Sequence, residues 1–186
     1  EQYYFQQYAQ HILPYFQAKK TLLDIGCQYG LFTIPAAQSE MKVTATDIRQ
    51  LFFNYIKKQC PNSKYEIKFR KEFIDETISN LNEEKFDLIL CIELLYNLPN
   101  HEEIIKQLSQ MLALDGKLIC SHRTKGYYIY RFIKEGKYDE VEKILSNSHQ
   151  QYNAQTKQEL IDMYSKLGLK VLDIFPIGIF SGIGND

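Results

Sequence analysis

The sequence predicts an α/β fold in which a mostly parallel sheet carries helices on both faces. Two observations lead to this prediction. Short apolar runs of strand length alternate with amphipathic runs of helical length, and this alternation implies right-handed crossovers between parallel strands. In addition, two of the apolar runs end in an acidic residue, Asp24 and Asp47, at the position where open α/β sheets bind ligands.

The elements are predicted in chain order. An amphipathic N-terminal helix is expected within residues 1–18, with apolar side chains at helical spacing at Tyr4, Tyr8, Ile12 and Tyr15. The apolar runs predict strands near residues 21–25, 42–46, 65–70, 86–92 and 117–121. The amphipathic runs between them predict helices near residues 30–39, 49–59, 74–82 and 101–113, the last of which we expect to end before an Asp-Gly turn.

The last part of the chain predicts a helix followed by strands. Thr156 and Glu159 form the Thr-x-x-Glu pattern of a capping box, which starts a helix that ends at Gly168. Residues 169–175 are expected to form a strand, and residues 177–183 to begin another.

Composition is that of one globular domain over residues 1–186. The chain is 45% hydrophobic and 13% aromatic, which is enough for one substantial core, and its net charge of −1 gives no electrostatic case for nucleic acid or a membrane surface. No apolar run approaches the roughly twenty residues that span a bilayer. Because the first residue is Glu1 and not Met, we expect a fragment, a processed form or the ordered part of a longer chain.

Cysteine and histidine usage predicts a reduced, metal-free protein. No Cys-x-x-Cys pair occurs, so buried free thiols in a reducing cytoplasm are expected. The histidines are scattered without metal-ligand spacing, and no metal site is predicted.

A glycine turn between the first strand and the first crossover helix carries the functional signal. A dinucleotide fingerprint that starts at Gly26 needs glycine at positions 28 and 31, where this chain has Gln28 and Leu31. Those glycines allow a pyrophosphate to lie against the turn and the helix to pack tightly on the strand. Their loss argues against a dinucleotide. S-adenosylmethionine has no phosphate, and its positive charges suit a carboxylate such as Asp24.

The segment from Asp24 to Gly30 resembles motif I of the class I S-adenosylmethionine-dependent methyltransferases, (D/E)-x-G-x-G-x-G, with Gln28 at the middle glycine. Three further segments are similar to that family: residues 43–48, residues 85–99 and residues 111–122. The resemblance implies a three-layer, Rossmann-like sandwich with a mostly parallel seven-stranded sheet whose last strand is antiparallel. It also implies S-adenosylmethionine as the cofactor.

Cofactor-binding residues follow from the matched motifs. The resemblance implies that the following residues contact S-adenosylmethionine: Asp24, Gly26, Cys27, Gln28, Gly30, Asp47, Ile48, Cys91, Ile92 and Glu93. Asp47 would hydrogen-bond the ribose, or cap the helix that starts near Arg49. Glu93 would contact the cofactor or the substrate, or simply cap the turn that follows. Glu72 and Asp75 are both candidates for an acid that contacts adenine.

The acceptor side is assigned to residues 122–153, an insertion placed to roof a substrate pocket. Candidate substrate residues are Tyr96, Arg123, Tyr127, Tyr128 and Arg131. The arginines suit a carboxylate or phosphate, and the tyrosines an apolar or aromatic group. His122 is the candidate catalytic base, with a structural role as the equal alternative.

The resemblance thus predicts a methyltransferase, which we expect to act on a small-molecule acceptor. The free cysteines predict a cytoplasmic location. Two alternatives stay open: a non-catalytic methyltransferase-like binding protein, and an RNA or protein methyltransferase. The second is weakened because no basic tail, appended recognition domain or Asn-Pro-Pro-Tyr motif is present in the sequence.

Overall fold

The computed structural model describes residues 2–61 and 66–178. The chain folds into two compact units, which are named here by their main elements. Of the described residues, the sheet unit comprises 9–61, 66–92 and 104–120, and the helical unit comprises 2–8, 93–103 and 121–178.

Five parallel strands form the sheet of the sheet unit. In chain order they are β1 (Thr21–Ile25), β2 (Lys42–Asp47), β3 (Ile67–Lys71), β4 (Phe86–Cys91) and β5 (Leu112–Cys120). Their order across the sheet is β3-β2-β1-β4-β5. Strands β2 and β3 are thus added on one side of β1, and strands β4 and β5 on the other. The point between β1 and β4 at which the strand order switches leaves a crevice at the carboxyl ends of the strands.

Helices connect these strands and build the helical unit. They are α1 (Gln2–Ile12), α2 (Thr33–Gln38), α3 (Gln50–Gln59), α4 (Ile74–Leu81), α5 (His101–Gln110), α6 (Lys125–Lys134), α7 (Tyr138–Leu145) and α8 (Lys157–Lys166). Short 3-10 turns occur at Leu13–Tyr15 and Leu95–Asn97. The capping box predicted for α8 is confirmed, because the Thr156 hydroxyl accepts from the Glu159 N–H and the Glu159 carboxylate accepts from the Thr156 N–H.

The central strands β1 and β4 are buried along nearly their whole length. Leu22 and Leu23 of β1 and Ile89 and Leu90 of β4 are all fully buried. Apolar side chains that point to both faces are what a parallel sheet covered on each side requires. This is why these strands appear in the sequence as continuous apolar runs.

The predicted α/β class with a parallel sheet is confirmed, but the prediction of seven strands is wrong for the described residues. These contain five strands, all parallel. Residues 169–175 form no strand, because they pair with no neighbouring strand and expose large side chains such as Leu172 and Phe175. The predicted antiparallel last strand, residues 177–183, lies mostly outside the described residues.

A bulge replaces the predicted turn before the fifth strand. Helix α5 ends at Gln110 and β5 already begins at Leu112, whereas the sequence predicted a helix to residue 113 and a strand from 117. Asp115 has φ 63°, and the pairing with β4 shifts register between Phe86 and Leu88. A Cβ at Gly116 would lie 2.8 Å from the Phe86 carbonyl oxygen, so the Asp-Gly pair bends a continuous strand instead of ending a helix.

Gly30 is closely packed within the first glycine turn. Its φ is +79°, and a Cβ there would lie 2.6 Å from Cγ1 of the fully buried Ile56. Gly136 provides a matched control, since its φ is +69° but a Cβ at that position would have no other atom within 4 Å.

We expect Gly136→Ala to cost about 1 kcal/mol through its backbone conformation alone. Gly30→Ala should cost about 2–4 kcal/mol, because overpacking against Ile56 adds to the backbone term. Equilibrium denaturation of both variants measures the difference. Equal losses would show that the contact with Ile56 relaxes at no cost.

Candidate active site

The carboxyl end of β1 holds a buried acid. Asp24 is only 3% exposed, and its Oδ2 accepts a 2.6 Å hydrogen bond from the Thr33 hydroxyl at the start of α2. Burial raises the pKa of this carboxyl to about 6, although the hydrogen bond to Thr33 opposes the rise. At neutral pH the site therefore contains a mostly ionised carboxylate with little water around it, which a cation would stabilise.

The turn that follows β1 takes a left-handed path at three alternate positions. Gly26, Gln28 and Gly30 have φ values of 72°, 44° and 79°. The N–H groups of Gly26 and Cys27 both donate to the Thr46 carbonyl of β2, at 2.9 and 3.0 Å. Gln28 thus adopts the backbone region that glycine would favour, at a conformational cost of about 1 kcal/mol.

Asp47, at the end of β2, ties this turn to the neighbouring strand. It is 8% exposed, and its two carboxylate oxygens accept from the N–H groups of Gln28 (3.1 Å) and Arg49 (3.0 Å). The N-cap of α3 is Arg49, without a side-chain cap bond. Asp47 therefore braces two loops instead of occupying the N-cap position, and each carboxylate oxygen can accept a second hydrogen bond.

The remaining predicted cofactor residues of the sheet unit are apolar in character. Cys27 and Cys91 are buried, and burial raises the pKa of both thiols, so they stay protonated at neutral pH. Ile48, which follows Asp47, is 46% exposed, and Ile92 is partly buried. These side chains offer contact area and shape, while the charge of this region lies on Asp24 and Asp47.

The two candidate adenine acids lie in different surroundings. Both oxygens of Glu72 are held by Arg70, at 2.6 and 3.2 Å, and Asn80 donates to one of them. Burial alone would raise the pKa of Glu72, but these hydrogen bonds outweigh it and lower the pKa. Asp75 lines a cavity of about 410 Å³ together with residues of α4 and α5. An adenine contact by either residue stays a prediction.

In the helical unit, Glu93 has three hydrogen-bond partners from two parts of the chain. The Tyr8 hydroxyl donates to its Oε1 at 2.6 Å, Arg123 donates to its Oε2 at 3.1 Å, and its own N–H donates to the Ser121 hydroxyl at 2.6 Å. Its backbone has φ 56°, which is unusual for a residue other than glycine or asparagine. Glu93 therefore forms an ion pair in addition to any turn-capping role.

The predicted substrate residues separate into two groups. The Arg123 guanidinium lies 4.0 Å from the Tyr96 ring centroid and 5.1 Å from that of Tyr127. Tyr128 is fully buried, its hydroxyl has no hydrogen-bond partner among the described residues, and burial raises its pKa. Arg131 pairs with Glu135 at 2.8 Å. Both arginines are thus already engaged by carboxylates, which the sequence pattern did not indicate.

His122 is neutral at physiological pH. Its Nε2 lies 2.8 Å from the Tyr164 hydroxyl, and burial lowers the pKa of the imidazole to about 4. A neutral imidazole has the protonation state that a base requires, but its low pKa makes it a weak base.

Three further residues contact the candidate site residues and were not predicted from the sequence. Thr33 contacts Asp24, and Tyr8 and Ser121 contact Glu93. Tyr8 is indistinguishable in the sequence from the other apolar positions of the first helix, because its spacing indicates packing only. Thr33 and Ser121 lie within predicted elements, the helix of residues 30–39 and the strand of residues 117–121, but no local signal marks either as a site residue.

Metal-binding clusters and membrane-spanning helices are both absent from the part of the chain that the structure describes. No group of three His, Cys, Asp or Glu side chains in residues 2–61 and 66–178 is arranged to hold a metal ion. Within the same residues, every helix is too short or too polar to cross a bilayer.

Comparison with known proteins identifies the family of the chain. The sequence profile described as "Methyltransferase domain" matches residues 1–174, nearly the whole chain. The chain belongs to this methyltransferase family. The resemblance to class I methyltransferases that the motifs indicated is thereby confirmed.

Curated relatives of the methyltransferase domain include ubiquinone biosynthesis O-methyltransferases. The protein from Coxiella burnetii (strain RSA 331 / Henzerling II) is 25% identical over 155 residues, which cover 83% of this chain and 65% of the relative. The protein from Actinobacillus pleuropneumoniae serotype 7 (strain AP76) is 30% identical over 118 residues, covering 59% and 50%. The chain thus spans less than two thirds of the length of these relatives.

Solved structures show the same fold. Magnesium protoporphyrin IX methyltransferase from Synechocystis PCC 6803 with bound SAH matches 88% of this chain and 73% of its own, with a TM-score of 0.62 and 16% identity. A SAM-dependent methyltransferase from Archaeoglobus fulgidus matches 87% and 66%, with a TM-score of 0.61 and 15% identity.

The raised pKa of Asp24 predicts a pH-dependent stability. A folded-state pKa of about 6 against an ordinary value of 3.8 means that the folded state loses stability as pH rises from about 4 to about 6, by up to about 3 kcal/mol. Asp24→Asn keeps an acceptor for Thr33 and cannot ionise. The difference in unfolding free energy, variant minus wild type, should therefore increase by up to that amount between pH 4 and pH 7. Denaturant titrations at both pH values measure it, and an unchanged difference would contradict the raised pKa.

Proposed function

We propose that this chain is an S-adenosylmethionine-dependent methyltransferase domain that transfers a methyl group to a small-molecule acceptor. The observation that carries the proposal is the bracing of the Gly26–Gly30 turn by the Asp47 carboxylate, at the carboxyl ends of the adjacent strands β1 and β2. This is the edge at which open α/β sheets bind ligands. Membership of the methyltransferase family supports the same assignment.

The residues of this edge fit the charges and hydroxyls of the proposed cofactor. Asp24 is buried and largely ionised at neutral pH, so a cationic group would offset the cost of its burial. Asp47 presents a carboxylate with remaining acceptor capacity for a ribose diol. The left-handed residues Gly26, Gln28 and Gly30 allow the backbone to approach a ligand closely.

The work required of the protein is mainly positioning. When bound, S-adenosylmethionine supplies a methyl group that its sulfonium already activates. In this proposal Asp24, Asp47 and the glycine turn hold the cofactor, while Cys91 and Ile92 supply apolar contact and Glu93 a carboxylate. Holding two reactants in line can contribute several kcal/mol to the lowering of the barrier.

The acceptor is proposed to be a small planar molecule. Tyr96 and Tyr127 flank Arg123, and aromatic side chains of this kind contact planar groups by stacking. Because Arg123 is paired with Glu93 and Arg131 with Glu135, neither brings an unneutralised positive charge for an anionic acceptor. Relatives named as O-methyltransferases support oxygen as the methylated atom. A cytoplasmic location is proposed from the free thiols.

Replacing Asp47 should weaken cofactor binding. We expect Asp47→Ala to lower the affinity for S-adenosylmethionine and for its demethylated product by about 1–3 kcal/mol, because buried hydrogen bonds to the carboxylate are lost. Isothermal titration measures both ligands, with NAD as a negative control. Asp87→Ala is the matched variant, since Asp87 lies at the opposite, amino end of β4 and binds Lys20 and Thr21. Wild-type affinity in a folded Asp47→Ala protein would remove the ribose assignment.

His122 provides a separate test of acid–base chemistry. If its imidazole is the base, His122→Ala should reduce turnover by about 10²–10⁴ while the affinity for S-adenosylmethionine stays within about twofold. Because its pKa is about 4, the wild-type rate should show no change from this group between about pH 5 and pH 8. The assay uses the best acceptor from a screen of phenols, amines and carboxylic acids. Turnover equal to wild type would assign His122 a structural role beside Tyr164.

A further inference from the structure

Glu93 occupies a strained position just beyond the strand β4. The chain leaves β4 at Cys91, and two residues later the backbone of Glu93 has φ 56°. A non-glycine residue in this region costs about 1–3 kcal/mol and persists where its surroundings hold it. Part of that hold is the 2.6 Å hydrogen bond from the Glu93 N–H to the Ser121 hydroxyl. This backbone conformation sets the direction in which the Glu93 side chain leaves the backbone.

The two oxygens of the Glu93 carboxylate are engaged from different sides. Arg123 donates to Oε2 at 3.1 Å, and the hydroxyl of Tyr8 donates to Oε1 at 2.6 Å. A hydrogen bond from a phenol to a carboxylate at this distance is short and charge-assisted. Tyr8 is 6% exposed and belongs to the N-terminal helix, 85 residues away in the sequence. The orientation of the carboxylate thus depends on a residue far from any methyltransferase motif.

Arg123 is itself held in place. Its guanidinium lies over the Tyr96 ring at 4.0 Å and over the Tyr127 ring at 5.1 Å, so cation–π contacts restrict its movement. The guanidinium is permanently charged, and it keeps one side of the Glu93 carboxylate fixed. On the other side, Oε1 accepts a short 2.6 Å hydrogen bond from Tyr8 and a longer 3.4 Å one from the Ser121 hydroxyl, so Tyr8 is the stronger of the two contacts that set the rotation of the carboxylate about its last bond.

We propose that Tyr8 is a positioning residue of the methyl-transfer site and acts through Glu93. The Glu93 carboxylate, held between Tyr8 and Arg123, presents preoriented acceptor oxygens to the cationic α-amino and sulfonium groups of the cofactor. An acceptor that is already oriented costs no reorganisation when the ligand binds. This inference rests on the proposed function, because it assigns Glu93 to the cofactor.

The experiment compares two Tyr→Phe changes that each remove one hydroxyl. Tyr8→Phe should weaken the binding of S-adenosylmethionine, measured by isothermal titration, by roughly three- to tenfold, because the carboxylate loses one of its charge-assisted donors. Tyr15→Phe is the control. Tyr15 ends the 3-10 turn after the same helix, and its ring centroid lies 5.9 Å from Lys117 Nζ within the sheet unit, so this variant should bind as wild type does. Denaturant unfolding of both variants verifies that they are folded. Wild-type affinity in Tyr8→Phe would overturn the proposal.

A double-mutant cycle distinguishes positioning from general packing. In a Glu93→Gln background, Tyr8→Phe should change the affinity for S-adenosylmethionine by less than about twofold, because Tyr8 then has no charged group to orient. The same loss in both backgrounds would show that Tyr8 acts only through the packing of the helix, and would overturn the proposal. If Glu93→Gln unfolds, Glu93→Asp serves as the second background, since the shorter side chain withdraws the carboxylate from the Tyr8 hydroxyl.

Failure of this inference and failure of the proposed function give different results. If wild type binds S-adenosylmethionine and Asp47→Ala weakens that binding while Tyr8→Phe does not, only the role of Tyr8 is wrong. If wild type binds neither S-adenosylmethionine nor its demethylated product, the proposed function is wrong and this inference is overturned with it.

Discussion

The hydrogen bonds of the Asp47 carboxylate are the interaction on which the candidate site depends. One oxygen holds the N–H of Gln28 in the first turn, and the other holds the N–H of Arg49 in the second. Two loops that follow adjacent parallel strands are therefore fixed by one side chain. The left-handed conformation of Gln28, which would otherwise be unfavourable for a residue with a side chain, is stabilised by the same bond. A turn with one glycine fewer than the family pattern can in this way keep the path that the glycine pattern requires.

Asp24 and Glu93 differ in the partners that the described residues provide. In the sheet unit, Asp24 is a buried acid whose nearest partner is the uncharged Thr33 hydroxyl, and its raised pKa expresses the cost of keeping it ionised. In the helical unit, Glu93 has a full counterion in Arg123. An anion with no counterion is a place where a cationic ligand gains binding energy, whereas an anion in an ion pair is better suited to providing a fixed orientation. The two acids are therefore expected to serve different purposes, although one lies near the carboxyl end of a central strand and the other just beyond the end of its neighbour.

The aromatic residues of the helical unit also divide by environment. Tyr128 and Phe132 form the core of this unit with Ile144, and Tyr152 stacks on Tyr128 at 4.7 Å. Tyr127, on the same helix, is 38% exposed and lies over Arg123. Tyr127 and Tyr128 thus differ in burial although they are consecutive, because their side chains point about 100° apart around the helix axis. Tyr128 is therefore a core residue with a buried hydroxyl, whereas Tyr127 stays partly exposed beside Arg123.

The sequence by itself determined the fold class, the family and the place of the cofactor motif, because each rests on local patterns. Apolar strand runs, a glycine turn and acids at strand ends are each recognisable within a short stretch of chain. Only the tertiary structure decided that Asp47 joins two loops while Asp24 is buried beside an uncharged hydroxyl. It also decided that Arg123 and Arg131 are paired with carboxylates, and that Tyr8 donates to Glu93. The number of strands could not be predicted from the sequence, because a strand forms only where a partner strand pairs with it. The start of β5 could not be predicted either, because the Asp115-Gly116 bulge depends on the backbone of Phe86. Contacts between residues far apart in the chain leave no local pattern, and in this protein those contacts set the charge and orientation of the site.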